Sequence, residues 1–313
     1  MTMIREDVTF QSGGETCAAW LYPAGSDEGP RPIIVMAHGV TGTRRDGLWS
    51  FADRFAAAGI NALLFDHRGF GDSEGEKDLF EPKKQLDDWR AALAFARSLP
   101  NVDTDRVATL GSSLGGGNAL WAAADDGRVA ACISQVPFVD MSQAPHSKEI
   151  LEQMLAVAAK GGYLPAVGQL HEPALIHQPG GEVGWRRVVA LGDKSRWRNR
   201  MSAAWLLNGY NPGQYAATLH CPWLVCVAAN DRIALPGPAI EAALRAPKGE
   251  VRIYPDTDHF DIYDGPTHEA IAADEIEFLH RHLLGRNLLG AAKASTVQTR
   301  VSLPTKTESE TRG

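Results

Sequence analysis

Short runs of Val, Ile, Leu and Ala alternate along the chain with longer segments whose apolar residues recur at helical spacing. This is the pattern of a mostly parallel sheet with helices on both faces. Val8 to Gln11 and Cys17 to Tyr22 flank Ser12-Gly13-Gly14-Glu15, which reads as an opening antiparallel hairpin. Ile33 to Ala37, Ala62 to Phe65, Val107 to Leu110, Ala130 to Val136, Trp223 to Ala228 and Val251 to Tyr254 have the length and composition of strands buried on both faces. Helical periodicity covers Trp49 to Ala58, Lys83 to Ser98, Leu114 to Ala124, Pro238 to Ala246 and Pro266 to Leu284, with stops at Gly59 and Pro100.

The alternation breaks once. From Pro137 to His220 the chain runs far longer than a crossover between consecutive strands requires. The spacing predicts helices over Lys148 to Ala159 and Arg198 to Asn208, interrupted by Gly161-Gly162 and Pro179-Gly180-Gly181. The expected organisation is therefore an α/β core formed by residues 1–136 and 221–290. A helical lid, residues 137–220, is inserted after the sixth strand. Residues 291–313 are rich in Thr, Ser, Lys and Glu without an apolar period and are expected to be disordered.

Composition narrows the partners. The formal charge of −7 gives no general attraction to nucleic acid or to an anionic membrane. No stretch reaches ~18 consecutive apolar residues, and the first ten residues carry Arg5, Glu6 and Asp7 instead of an apolar leader core. A cytoplasmic protein acting on a small molecule is expected. The four cysteines are scattered and form neither a zinc-ligand nor a redox spacing, so buried thiols are expected, with no metal and no cofactor. The sequence does not decide between a monomer and a homodimer.

The strongest chemical signal is Gly111-Ser112-Ser113-Leu114-Gly115, placed after a strand and before a helix. A turn that sharp crowds the backbone, and glycines two before and two after Ser113 remove the side chains that would clash. Ser112 lacks glycines at those offsets. A serine hydroxyl needs a histidine to accept its proton and a carboxylate to fix the tautomer of that histidine. Of the ten histidines, His259 alone follows a late strand edge; His268, His280 and His282 fall in the last helix, where solvated faces account for them. Asp231, after the strand ending at Ala228, is the expected acid; Asp140, after the strand ending at Val136, is its competitor, and Asp256 and Asp258, beside His259 in sequence, are the lesser alternatives. Two backbone donors should stabilise the oxyanion: Leu114 N–H, and Val40 N–H from the loop His38-Gly39-Val40-Thr41-Gly42, with Thr41 in reserve. Asp66-His67-Arg68-Gly69-Phe70-Gly71-Asp72-Ser73 reads as a pinned glycine turn with no part in the reaction. Phe138, Trp205 and Tyr210 are the aromatics put forward as substrate contacts.

Together, the His-Gly loop, the Asp-x-Arg-Gly-x-Gly-x-Ser turn, the Gly-x-Ser-x-Gly elbow, Asp231 and His259 resemble the α/β-hydrolase superfamily over most of the chain, from about Thr9 to His282. Within it the chain looks most similar to dienelactone-hydrolase-like and peptidase S15-like esterases, and less closely to fungal thiohydrolases that release polyketides. It departs from dienelactone hydrolases proper in carrying serine, not cysteine, as nucleophile, and from epoxide hydrolases and haloalkane dehalogenases in lacking an elbow aspartate. The expected reaction is hydrolysis of a carboxylic ester or lactone of a small, largely apolar molecule through an acyl-enzyme on Ser113. A thioesterase acting on a carrier-bound acyl group is the alternative, and a non-catalytic ligand-binding protein on the same fold is a further one.

Overall fold

The computed structural model describes residues 5–25, 29–190 and 197–285; the expected disordered tail lies outside them. Strands β1 (Glu6–Ser12), β2 (Glu15–Tyr22), β3 (Arg31–Ala37), β4 (Asn61–Phe65), β5 (Val102–Ser112), β6 (Ala131–Gln135), β9 (Trp223–Ala228) and β10 (Gly249–Tyr254) form one sheet in the order β1-β2-β4-β3-β5-β6-β9-β10. β1–β2 and β2–β4 pair antiparallel and the remaining neighbours parallel. The opening hairpin turns at Gly13 and Gly14, both at positive φ, as a tight turn between twisted strands demands.

Helices cover both faces. α1 (Trp49–Ala57) and α7 (Gly265–Leu283) pack on one face; α2 (Pro82–Ser98), α3 (Leu114–Asp126) and α6 (Pro236–Arg245) pack on the other. β3 shows why its sequence is uninterrupted in apolar residues: Ile34 and Met36 enter the α1/α7 layer, and Ile33, Val35 and Ala37 the opposite one. All four cysteines are free and buried. Among the described residues no helix is long and apolar enough to cross a membrane.

The insertion contains α4 (Lys148–Ala159), the two-stranded β7 (Tyr163–Leu164) and β8 (Met201–Ser202), and α5 (Gly181–Ala190). Two expectations fail here. Arg198 to Asn208 is not a helix: Met201 and Ser202 pair with Leu164 and Tyr163, and the Ser202 hydroxyl is 2.9 Å from both the N–H and the carbonyl of Phe80, so only Ala204–Asn208 turns, as a 3-10 segment. Gly181 does not interrupt a helix but begins one, α5, whose Trp185, Val188 and Val189 are buried at helical spacing.

The last-helix histidines also differ from expectation. His268 is buried, bonded to the Ile262 carbonyl and Ser50; His280 is buried and bonded to the Ala58 carbonyl; His282 meets Glu250. Tertiary acceptors supplied by other elements, which no local pattern records, hold these rings.

A buried polar contact lies at the C-terminal end of β6. Gln135 Nε2 donates to Glu275 Oε1 of α7 at 2.9 Å, and burial pushes the Glu275 carboxyl from its ordinary 4.5 up to about 8. Between those values the folded chain holds a proton that the unfolded chain has released, so this group's contribution to stability falls as pH rises through that window. The isosteric Glu275→Gln should therefore melt increasingly above the wild type as pH is raised from about 5 to about 9. The margin should approach a few kcal/mol, since each pH unit crossed within the window is worth about 1.4 kcal/mol. Parallel melting curves across that range would show that the carboxyl titrates normally.

Candidate active site

Between β5 and α3, Ser113 has φ 58° and ψ −124°, a conformation that side-chain-bearing residues rarely adopt. The surroundings over-determine it. Ser113 N–H donates to the Gln135 carbonyl at 2.8 Å, and its own carbonyl accepts from Gly116 N–H and Phe138 N–H, each at 2.9 Å. A Cβ on Gly111 would come within 1.9 Å of the Gly115 carbonyl oxygen, and one on Gly115 within 2.7 Å of the His38 carbonyl carbon. Both glycines of the motif are thus required by close backbone approach. Ser112 faces away, its hydroxyl 2.6 Å from Tyr263 Oη.

The loop after β10 carries His259 over this turn. Its Nε2 lies 3.1 Å from Ser113 Oγ, and its Nδ1 lies 2.6 Å from Asp231 Oδ2. Asp231 follows β9 and is fixed in turn by its Oδ1, which accepts from Ile233 N–H at 2.8 Å and Ala234 N–H at 2.9 Å. His259 and Asp231 are both buried. With Nδ1–H donated to the carboxylate, Nε2 presents its lone pair to the serine hydroxyl. Asp140 is engaged elsewhere: it caps the 3-10 turn Met141–Gln143, accepting from Ser142 N–H, the Ser142 hydroxyl and the Gln143 amide.

The His38–Gly42 loop packs directly on the elbow. A Cβ on Gly39 would sit 2.7 Å from Gly115 N and 2.8 Å from Leu114 N, so only glycine lets this loop approach the start of α3. Val40 adopts φ 45° and borders the same cavity as Ser113 and Leu114. The Thr41 hydroxyl accepts from Trp197 Nε1 of the insertion at 2.9 Å. His38 is held inside the fold: it stacks on Tyr263, and burial pushes its imidazole down to about 3. The Asp66–Ser73 turn is a brace. Asp66 accepts from the backbone N–H groups of Arg44 and Asp72 and pairs with the Arg44 guanidinium, while Gly71 at φ 52° leaves no room for a Cβ against the Asp66 carboxylate.

Two small lobes meet at Ser113, sharing Val40 and Ile176. One is walled by Leu114, Phe138, His146, Leu175 and Ile233; the other by His38, Trp185, His259, Phe260 and Tyr263. Their free volumes, about 20 and about 10 Å³, hold single waters at most. Phe138 therefore stands beside Ser113 as expected. Trp205 and Tyr210 do not line either lobe. Trp205 packs on Phe80, and the Tyr210 hydroxyl lies 2.9 Å from the Leu114 carbonyl and 3.0 Å from Asn118 Oδ1, bracing α3 from behind; both border a separate groove. Sequence reasoning missed His146, Leu175, Ile176, Ile233, Phe260 and Tyr263, and weighed Trp185 only as one of several aromatics of the insertion. Phe260 and Tyr263 were accessible from their position just after His259, whereas nothing local marks the others.

A strand-elbow-helix carrying Ser113, with Asp231 and His259 at the ends of later strands of the same sheet, defines an α/β-hydrolase. The chain belongs to the family described as serine aminopeptidase, S33, whose model matches residues 28–265. It is 40% identical to the quorum-quenching protein AidA of Acinetobacter baumannii (strain MDR-ZJ06) over 290 residues, 88% of this chain and 94% of that protein. It is 29% identical to the polyketide transferase af380 of Aspergillus fumigatus over 296 residues, covering 90% of this chain and 99% of that one. Among solved structures, the α/β-hydrolase GrgF from Penicillium sp. sh18 superposes with a TM-score of 0.75 at 25% identity, covering 90% of this chain and 99% of that one.

The 2.6 Å contact predicts a strongly deshielded His259 Nδ1 proton in the NMR spectrum. That resonance should persist in Asp140→Asn and vanish in Asp231→Ala. Its survival in Asp231→Ala would identify a different partner for the ring.

Proposed function

We propose that this chain is a serine hydrolase that cleaves a carboxylic ester or lactone of a small, largely apolar molecule. The observation that carries the reading is the continuous relay from Ser113 Oγ through His259 to Asp231, at 3.1 and 2.6 Å, opening on an apolar cavity. His259 Nε2 takes the hydroxyl proton as Ser113 Oγ attacks the carbonyl carbon, and Asp231 stabilises the resulting imidazolium. The oxyanion accepts from the N–H groups of Leu114 and Val40. Collapse breaks the bond to the leaving oxygen, which takes the proton from His259; water then adds to the acyl-enzyme with His259 again as base, releasing the acid and restoring Ser113.

Because His259 protonates the leaving group, the lobe containing His259, Trp185 and Phe260 receives the alcohol side, and the lobe containing Phe138 and Leu175 the acyl side. In a lactone both sides belong to one molecule and the product is a hydroxy acid. Both lobes are roofed by residues of the insertion, including Ile176, so the insertion acts as a lid that must shift to admit substrate. The similarity to a protein named for quorum quenching is consistent with destruction of a small diffusible molecule. A second reading, acyl release from a thioester, uses the same residues with sulfur as leaving atom; the similarity to a polyketide transferase over nearly the whole chain is consistent with an acyl group being handled at this site.

On 4-nitrophenyl butyrate the protein should release a burst of nitrophenol, followed by slower turnover. Ser113→Ala should abolish the burst and lower kcat/KM by about 10³-fold or more. Unchanged turnover in Ser113→Ala would exclude the acyl-enzyme route; comparison of matched oxygen esters and thioesters then separates the two readings.

A further inference from the structure

Besides Ser113, one side chain with polar atoms lines the acyl-side lobe among the described residues: His146, which precedes α4 in the insertion. Its Nδ1 lies 2.8 Å from Nε2 of His177, with the two rings stacked at 5.0 Å and 25°. Two imidazole nitrogens at this distance share one proton, and the question is which ring carries it. His177 is buried, and its Nδ1 has no hydrogen-bond partner among the described residues. A buried N–H left without an acceptor is rarer in folded proteins than a buried lone pair left without a donor. His177 therefore keeps its proton on Nε2 and donates it to His146 Nδ1, with its own Nδ1 a bare lone pair.

The tautomer of His146 follows. Burial pushes His146 down to about 4, with the neighbouring His177 adding to the effect, and burial likewise lowers His177, so both rings are neutral near pH 7. A neutral imidazole has one N–H, and with Nδ1 accepting it must be Nε2–H. That nitrogen has no partner among the described residues, and its ring borders a cavity whose other walls are Val40, Leu114, Phe138, Leu175, Ile176 and Ile233. Beyond Ser113 and the backbone N–H groups beside it, the lobe thus combines hydrocarbon walls with one side-chain donor, that of His146. An apolar wall discriminates weakly between chains that differ by one atom, whereas a site that presents a hydrogen-bonding group rejects analogues unable to pair with it.

We propose that His146 is a specificity-determining residue whose Nε2–H donates to an acceptor oxygen within the acyl part of the substrate, with His177 as the positioning residue that holds its tautomer. This rests on the serine-hydrolase reading above. The preferred substrates are then acyl chains that are apolar along most of their length but interrupted by one oxygen-bearing group, such as an ether, a ketone or an amide.

The test uses 4-nitrophenyl heptanoate and its 3-oxa, 4-oxa and 5-oxa analogues, which replace one methylene with an ether oxygen at nearly constant volume. For each analogue, kcat/KM is divided by that for heptanoate, and this preference is compared between wild type and His146→Phe, which cancels intrinsic reactivity and any change in absolute rate. At one position or more the wild-type preference should exceed that of His146→Phe about tenfold, and His146→Gln, which retains an N–H donor, should restore part of it. Preferences equal within about twofold at every position would overturn the proposal while leaving the hydrolase reading intact. Failure of the wild type to hydrolyse any of the four would overturn the reading beneath it. Imidazole ¹⁵N shifts of the wild-type protein near pH 7 decide the question independently of whether a variant folds: both rings should be neutral with the proton on Nε2, and a His146 protonated on Nδ1 contradicts the inference.

Discussion

Holding a serine at φ 58° between a strand and a helix strains the backbone, and much of the surrounding architecture serves to keep it there. Parallel pairing sets the end of β6 beside the end of β5, so that the Gln135 carbonyl meets Ser113 N–H. The glycines at 111 and 115 let β5, α3 and the His38 loop approach within backbone contact. The same crowding brings the loop that carries Val40 against the first N–H groups of α3. One constraint thus brings Ser113, the start of α3 and the loop carrying Val40 together around one cavity.

The relay behind the serine is fixed by different means. Asp231 and His259 come from the ends of β9 and β10, adjacent parallel strands, which bring residues distant in sequence to one edge of the sheet. Two backbone N–H groups orient the carboxylate, and burial of both partners keeps water from competing for the 2.6 Å contact. The insertion then encloses the serine without entering the relay: Ile176 and Trp185 line the cavity, and Trp197 ties the insertion to Thr41 of the His38–Gly42 loop.

How much of this is legible in the sequence depends on the range of the interaction responsible. The sheet strands and the core helices follow from local periodicity. The elbow is legible because its geometry demands glycine at fixed offsets, and Asp231 and His259 because topology delivers late strand ends to the same edge. The insertion is legible as an interruption and only partly in its contents. β8 exists because Leu164 and Tyr163 lie beside it and Phe80 binds Ser202, contacts with no local trace. Trp205 and Tyr210 have the composition of substrate contacts, but Trp205 packs on Phe80 and Tyr210 braces α3, since aromatic character says nothing about the direction in which a side chain points. His146 and His177, thirty-one positions apart, acquire meaning only once the fold sets their rings together.

Everything proposed for the site requires that Ser113, out of all the hydroxyls in the chain, be an activated nucleophile. Incubation with a fluorophosphonate, followed by mass spectrometry of the intact protein and its peptides, tests this without knowledge of the natural substrate. A single adduct on the peptide containing Ser113, absent in Ser113→Ala, is the expected result; an adduct on Ser112, or none at all under conditions in which the protein is folded, would contradict it.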